Sequence, residues 1–129
     1  MRNILLITLL FIYISATIAQ ENCSKMLDQA FISDGQSHKI SLSEAEPSKL
    51  FYTFVEGLTY QIATCSEKNI HYELKIFDTN KKLMFSGVCA TSFKRWDLRF
   101  NSTVSCIAEF RLLSSTTKNK QLKVTIGFK

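Results

Sequence analysis

One proline and four glycines stand among 129 residues, which excludes collagen-like and linker-like chains. The glycines, Gly35, Gly57, Gly87 and Gly127, lie far apart, so no phosphate-cradling loop is present. There is no G-x-S-x-G elbow, no C-x-x-C pair and no H-x-H or H-E-x-x-H spacing for a metal. The two histidines, His38 and His71, read as exposed, structural residues. Beyond residue 19 no apolar run approaches the roughly 20 residues of a membrane-spanning helix. The sequence therefore offers no catalytic constellation, and we expect neither an enzyme nor a cofactor nor a bound metal. Glu73, Asp97 and Glu109 alternate outward on strand-like runs, where carboxylates meet solvent.

What is present begins with an export signal. Arg2 is the single charge before Glu21, and residues 4–14 are apolar except for Thr8. Small side chains at Thr17 and Ala19 follow, so residues 1–19 read as a secretory signal peptide and residues 20–129 as one domain. Cleavage leaves fifteen basic against eleven acidic residues, a net charge of +4. The basic residues are dispersed, which argues against nucleic-acid binding; Lys118, Lys120 and Lys123 make the densest group. The expected destination is the periplasm or the extracellular space, with no transmembrane segment left after cleavage.

From Lys39 onward, apolar residues recur with period two. Tyr72, Leu74 and Ile76 oppose His71, Glu73 and Lys75; Asp78-Thr79-Asn80-Lys81 supplies turn residues, and residues 71–88 read as a hairpin. Tyr60, Ile62 and Thr64 share one face, with Thr59, Gln61 and Ala63 on the other. Trp96, Leu98 and Phe100, then Cys106, Ala108, Phe110 and Leu112, then Leu122, Val124, Ile126 and Phe128 continue the pattern. About eight strands at even spacing predict an all-β, single antiparallel sandwich of the jelly-roll or a related type. Helical periodicity is confined to Met26, Leu27, Ala30 and Phe31, which predicts a short N-terminal helical turn. Residues 114–117 form a polar loop.

Cys23, Cys65, Cys89 and Cys106 in an exported chain read as a disulfide framework with three possible pairings. If residues 59–65, 72–78 and 83–89 form a meander, strand direction favours Cys65–Cys89 and Cys23–Cys106. The fifteen aromatic residues supply the other signal. Trp96, Tyr60, Tyr72 and Phe51 are the candidate ligand-binding residues, able to stack on a sugar ring or anchor a protein. Core filling is the competing role for Trp96. Asn101-Ser102-Thr103 matches the N-glycosylation sequon, relevant in a eukaryotic secretory pathway.

Residues 33–36, 51–65, 76–78, 83–85, 96–98, 102–106 and 126–129 together resemble small exported proteins of Gram-negative bacteria of unknown function. The stretch from Thr59 through the Asp78-Asn80 turn to Gly87 is similar to the pre-peptidase C-terminal type of β-sandwich, with Lys81 where that turn carries glycine. Neither resemblance brings catalytic residues. The second implies a binding or accessory role beside larger secreted enzymes. The expected function is thus a non-enzymatic module for a protein or cell-envelope component, with carbohydrate binding as the alternative and a small hydrolase behind both.

Overall fold

The computed structural model describes Cys23, residues 25–114 and residues 120–129. The expected signal peptide and residues 115–117 of the expected polar loop lie outside the described residues. Eight strands follow in order: β1 (Ile32–Leu42), β2 (Ser48–Phe54), β3 (Thr59–Cys65), β4 (His71–Asp78), β5 (Leu83–Cys89), β6 (Phe93–Arg99), β7 (Val104–Ser114) and β8 (Lys120–Phe128). They form two four-stranded antiparallel sheets, β1-β8-β3-β6 and β2-β7-β4-β5. We call them sheet A and sheet B. This is the strand order of a jelly roll, so the expected sandwich is the observed one.

Each strand's alternation explains its place. Tyr72, Leu74 and Ile76 of β4, Phe110 and Leu112 of β7, and Leu122, Val124 and Ile126 of β8 are all buried between the sheets. Burying such a side chain contributes about 1.5–3 kcal/mol, and the two inner faces supply most of these contacts. The aromatic residues tie the layers together. Phe54 of β2 stacks on Phe100 at 4.5 Å between ring centres, and Tyr72 meets Trp96 edge-on at 6.1 Å.

The expected hairpin exists as β4–β5, and among the described strands it is the sole connection between consecutive strands that stays within one sheet. Asp78 closes it, its carboxylate accepting from the backbone N–H of Asn80 and Lys82 at 2.9 Å each. The expected three-strand meander is not formed, because β3 belongs to sheet A while β4 and β5 belong to sheet B.

The disulfide expectation fails with it: the bond joins Cys23 to Cys65 (Cα–Cα 5.7 Å), and Cys89 and Cys106 are buried thiols. Cys65 and Cys89 do share a pole of the sandwich, where Ser66 N–H donates to the Ser92 carbonyl. However, Cys65 continues the outward frame of Gln61 and Ala63, and Cys89 stands beside Tyr72 on the inner face of sheet B. Cys106 pairs with Asp78 at the opposite end of β4. Burial raises the Cys106 thiol pKa, and the Asp78 carboxylate adds to the rise, so it stays protonated.

The N-terminal segment corrects a second expectation. Among the described residues Met26, Leu27, Ala30 and Phe31 form no helix; one turn, Phe31 N–H to the Asp28 carbonyl at 3.0 Å, leads into β1. Before that turn the chain runs back across the outer face of sheet A as a strap. The apolar spacing reflects contact with a sheet, not a helical stripe. Met26 packs with Ala63 and Cys65 in a small second core, joined by Leu27 and Phe93.

Candidate functional site

The two outer faces differ, and that difference defines the candidate site. On sheet A the strap is held residue by residue. Arg95 donates from Nε to the Met26 carbonyl at 2.7 Å and from Nη2 to that of Lys25 at 3.3 Å. Gln61, itself buried, accepts from the Asp28 N–H at 2.7 Å and donates to Asp97 at 2.9 Å. Asp97 is thereby engaged as an acceptor for the strap's support. Gly127 leaves room for Leu27: a Cβ there would sit 2.6 Å from a Leu27 methyl and 2.9 Å from the Ile32 carbonyl. Sheet A is therefore covered over much of its outer face.

Among the described residues no such strap crosses sheet B. Cross-strand register sets its outward side chains in rows, because directly opposed residues of antiparallel strands point to the same side. Phe51 of β2 opposes Ile107 of β7, Ile107 opposes Phe77 of β4, and Phe77 opposes Leu83 of β5. An apolar row thus crosses all four strands. Phe51 is 71% exposed and Leu83 49%, with Ile107 and Phe77 half-buried between them. Met84 lies exposed next to Leu83, and a shallow hollow opens beside Phe51, Thr53, Ser105 and Ile107.

The adjoining row is charged and self-complementary: Lys49 opposes Glu109, and Glu109 opposes Lys75. Beyond it Glu73 opposes Arg111 and forms an ion pair with Lys75 at 3.4 Å. That half of the face satisfies itself. The apolar half does not.

The four candidate residues separate sharply. Phe51 is on the open face. Tyr60 (3% exposed), Tyr72 (0%) and Trp96 (9%) are in the core and present no ring to a ligand, which corrects the expectation for them. Each is committed internally. Tyr60 accepts from the Val55 N–H at 2.8 Å, and Tyr72 shares a hydrogen bond with Thr64. Trp96 packs on Tyr72, Phe85 and the bare backbone of Gly87, where a Cβ would come within 2.8 Å of its Nε1. Core filling, the competing role for Trp96, is the observed one, and Tyr60 and Tyr72 share it with the aliphatic neighbours of their own frames. Phe77, Ile107 and Leu83 escaped sequence reading because only pairing across strands lines them up with Phe51.

The histidines are apart. His71 Nδ1 lies 3.2 Å from Ser114 Oγ, and His38 is half-buried with Nε2 unpartnered. Among the described residues no group of three or more His, Cys, Asp or Glu could hold a metal ion. No helix among them is long and apolar enough to cross a membrane.

No protein-family model matches the chain, and no curated protein matches it. Among solved structures it is similar to the CBM36-1 domain of a multidomain xylanase from the hindgut metagenome of Trinervitermes trinervoides. That match has 10% identity and a TM-score of 0.43, and covers 80% of this chain and 90% of the domain. It is also similar to the SPBc2 prophage-derived protein YomS, at 13% identity and a TM-score of 0.38, covering 76% and 99% of the two chains.

Proposed function

We propose that this protein is an exported, non-catalytic binding module that docks a protein partner through the uncovered face of sheet B. The observation that carries the reading is the row Phe51–Ile107–Phe77–Leu83, apolar across four strands and exposed at both ends. Exposed aromatic anchors flanked by near-neutral polar contacts are the usual form of an interface hot spot. Here the polar flank is already present as the Lys49–Glu109–Lys75 row. The Cys23–Cys65 bond supports export, because disulfides persist in oxidising compartments. The resemblance to small exported bacterial proteins and to sandwich modules that accompany secreted enzymes points the same way. Carbohydrate binding on this face would have to rely on Phe51 and Phe77, its two aromatic rings.

A photo-crosslinking residue at position 51 tests the proposal in the native host. The expected product is one discrete protein adduct, absent when the crosslinker replaces Arg111 on the charged part of the same face. Phe51→Ser should weaken the captured complex by about 2 kcal/mol while changing stability little, as surface substitutions do. Retention on a glycan array that Phe51→Ala abolishes, with no protein adduct, would replace this reading with the carbohydrate one.

A further inference from the structure

We propose that the groove beside the Cys23–Cys65 disulfide is a second binding site, for a small polyanion carrying two or more phosphate groups. The groove measures about 530 Å³ and opens beside the bond that anchors the strap to sheet A. Lys39, Lys68, Lys120 and Lys123 line it, against one acidic residue, Glu67. Its size suits a phosphorylated sugar or a lipid headgroup.

The register of the strands supplies an independent observation. Lys39 of β1 and Lys123 of β8 are directly opposed, so both ammonium stems rise from the same face of the sheet. Like charges so placed are destabilising. On its other side Lys123 opposes Cys65, which offers no carboxylate. Among the described residues none of the four lysines forms an ion pair; the one pair present is Lys75–Glu73, on the far sheet. The contrast with sheet B is direct, because there Lys49, Glu109 and Lys75 alternate in sign along one row. The same chain balances its charges where nothing anionic needs to bind and leaves them unbalanced at this groove.

Charge density favours phosphate: lysine is a common phosphate binder acting as a point charge, and a ligand with several phosphates concentrates the negative charge that four ammonium groups in one groove can meet. No arginine lines the groove. A ligand with two or more phosphates could bridge Lys39 and Lys123 while reaching Lys68 or Lys120, and it would relieve the repulsion between the opposed pair.

Calorimetric titration with tripolyphosphate at low and high salt tests the site on the purified, oxidised protein. The expected result is binding that weakens as salt rises, and that falls by about tenfold or more in K39Q/K123Q. The control K49Q/K75Q, which removes the same charge from sheet B, should bind like the wild type. An unchanged near-ultraviolet circular dichroism spectrum would show that K39Q/K123Q is folded. Without ligand its melting temperature should equal or exceed the wild-type value, since a like-charge contact is gone. A parallel sedimentation assay uses vesicles containing cardiolipin, whose headgroup carries two phosphates, against phosphatidylcholine vesicles. Binding to the first that K39Q/K123Q abolishes assigns the phosphate to a lipid headgroup, and tripolyphosphate binding without vesicle binding assigns it to a soluble compound. Equal losses in the two double variants, or no tripolyphosphate binding by the wild type at low salt, overturns the proposal.

Discussion

Lys81 closes the β4–β5 hairpin with a left-handed backbone, φ 63°, a conformation that disfavours any side chain bearing a Cβ. Glycine adopts it freely, and Lys81 spends its exposed side chain on solvent. Lys81→Gly is therefore expected to stabilise the protein by about 0.5–1 kcal/mol, read as a higher midpoint in urea denaturation. Gly127 presents the opposite case. Its missing Cβ would meet the Ile32 backbone carbonyl at 2.9 Å, and a carbonyl in a strand cannot swing aside. Gly127→Ala should destabilise the fold by about 1–3 kcal/mol, the range for overpacking, in the same measurement. In the sequence Gly127 looked like an ordinary outward position of the last strand. Leu27 and Ile32, both remote in the chain, make it a contact.

Among the elements, the strap is the piece least visible in the sequence. Its apolar residues Met26, Leu27 and Phe31 mimic a helical stripe, because an extended segment with one turn also brings such residues to one surface. The signal that could have found it lies on β3. Gln61, Ala63 and Cys65 share the frame opposite the core-facing Tyr60, Ile62 and Thr64, yet all three are buried. An outward frame with alanine and a disulfide cysteine marks a covered sheet. The same parity shows why Cys65 could not reach Cys89: the first faces out of sheet A and the second into the sandwich. In the chain-entropy view, a cross-link spanning 42 residues contributes about 4 kcal/mol. Cys23→Ser should lower stability by about 2–4 kcal/mol and speed amide exchange in residues 25–31 and in β3 before the rest of the sandwich. Uniform acceleration across both sheets would show that the strap is no separate unit.

For the whole molecule, the buried Tyr72 and the half-buried Tyr52 set an alkaline limit. Burial raises the Tyr72 phenol pKa well above its ordinary 10.0, against a smaller lowering by the Thr64 hydrogen bond. Burial also raises that of Tyr52, with the Asp34 carboxylate adding to the rise. A raised folded-state pKa means that the folded protein holds its phenolic protons where the unfolded chain releases them. The stability they confer is complete below the unfolded value near 10 and falls as pH rises beyond it. Melting temperature should be level on this account from neutral pH to about 9 and drop steeply above 10. Absorbance at 295 nm should show the Tyr72 phenolate emerging only together with unfolding; a folded protein in which every tyrosine ionises near 10 would contradict this.

Alternation alone determined that the chain forms about eight antiparallel strands in a sandwich, that residues 71–88 make a hairpin, and that Leu74, Ile76, Phe110 and Val124 share frames set against polar neighbours. These properties depend on residues one or two positions apart, and period two reports them directly. Tertiary structure decided the rest: which strands cross between sheets, which cysteine meets Cys23, which outer face stays open and where four lysines gather. Each of those depends on pairing between residues tens of positions apart. Local periodicity carries no information about such pairing, because a strand's pattern is the same in either sheet.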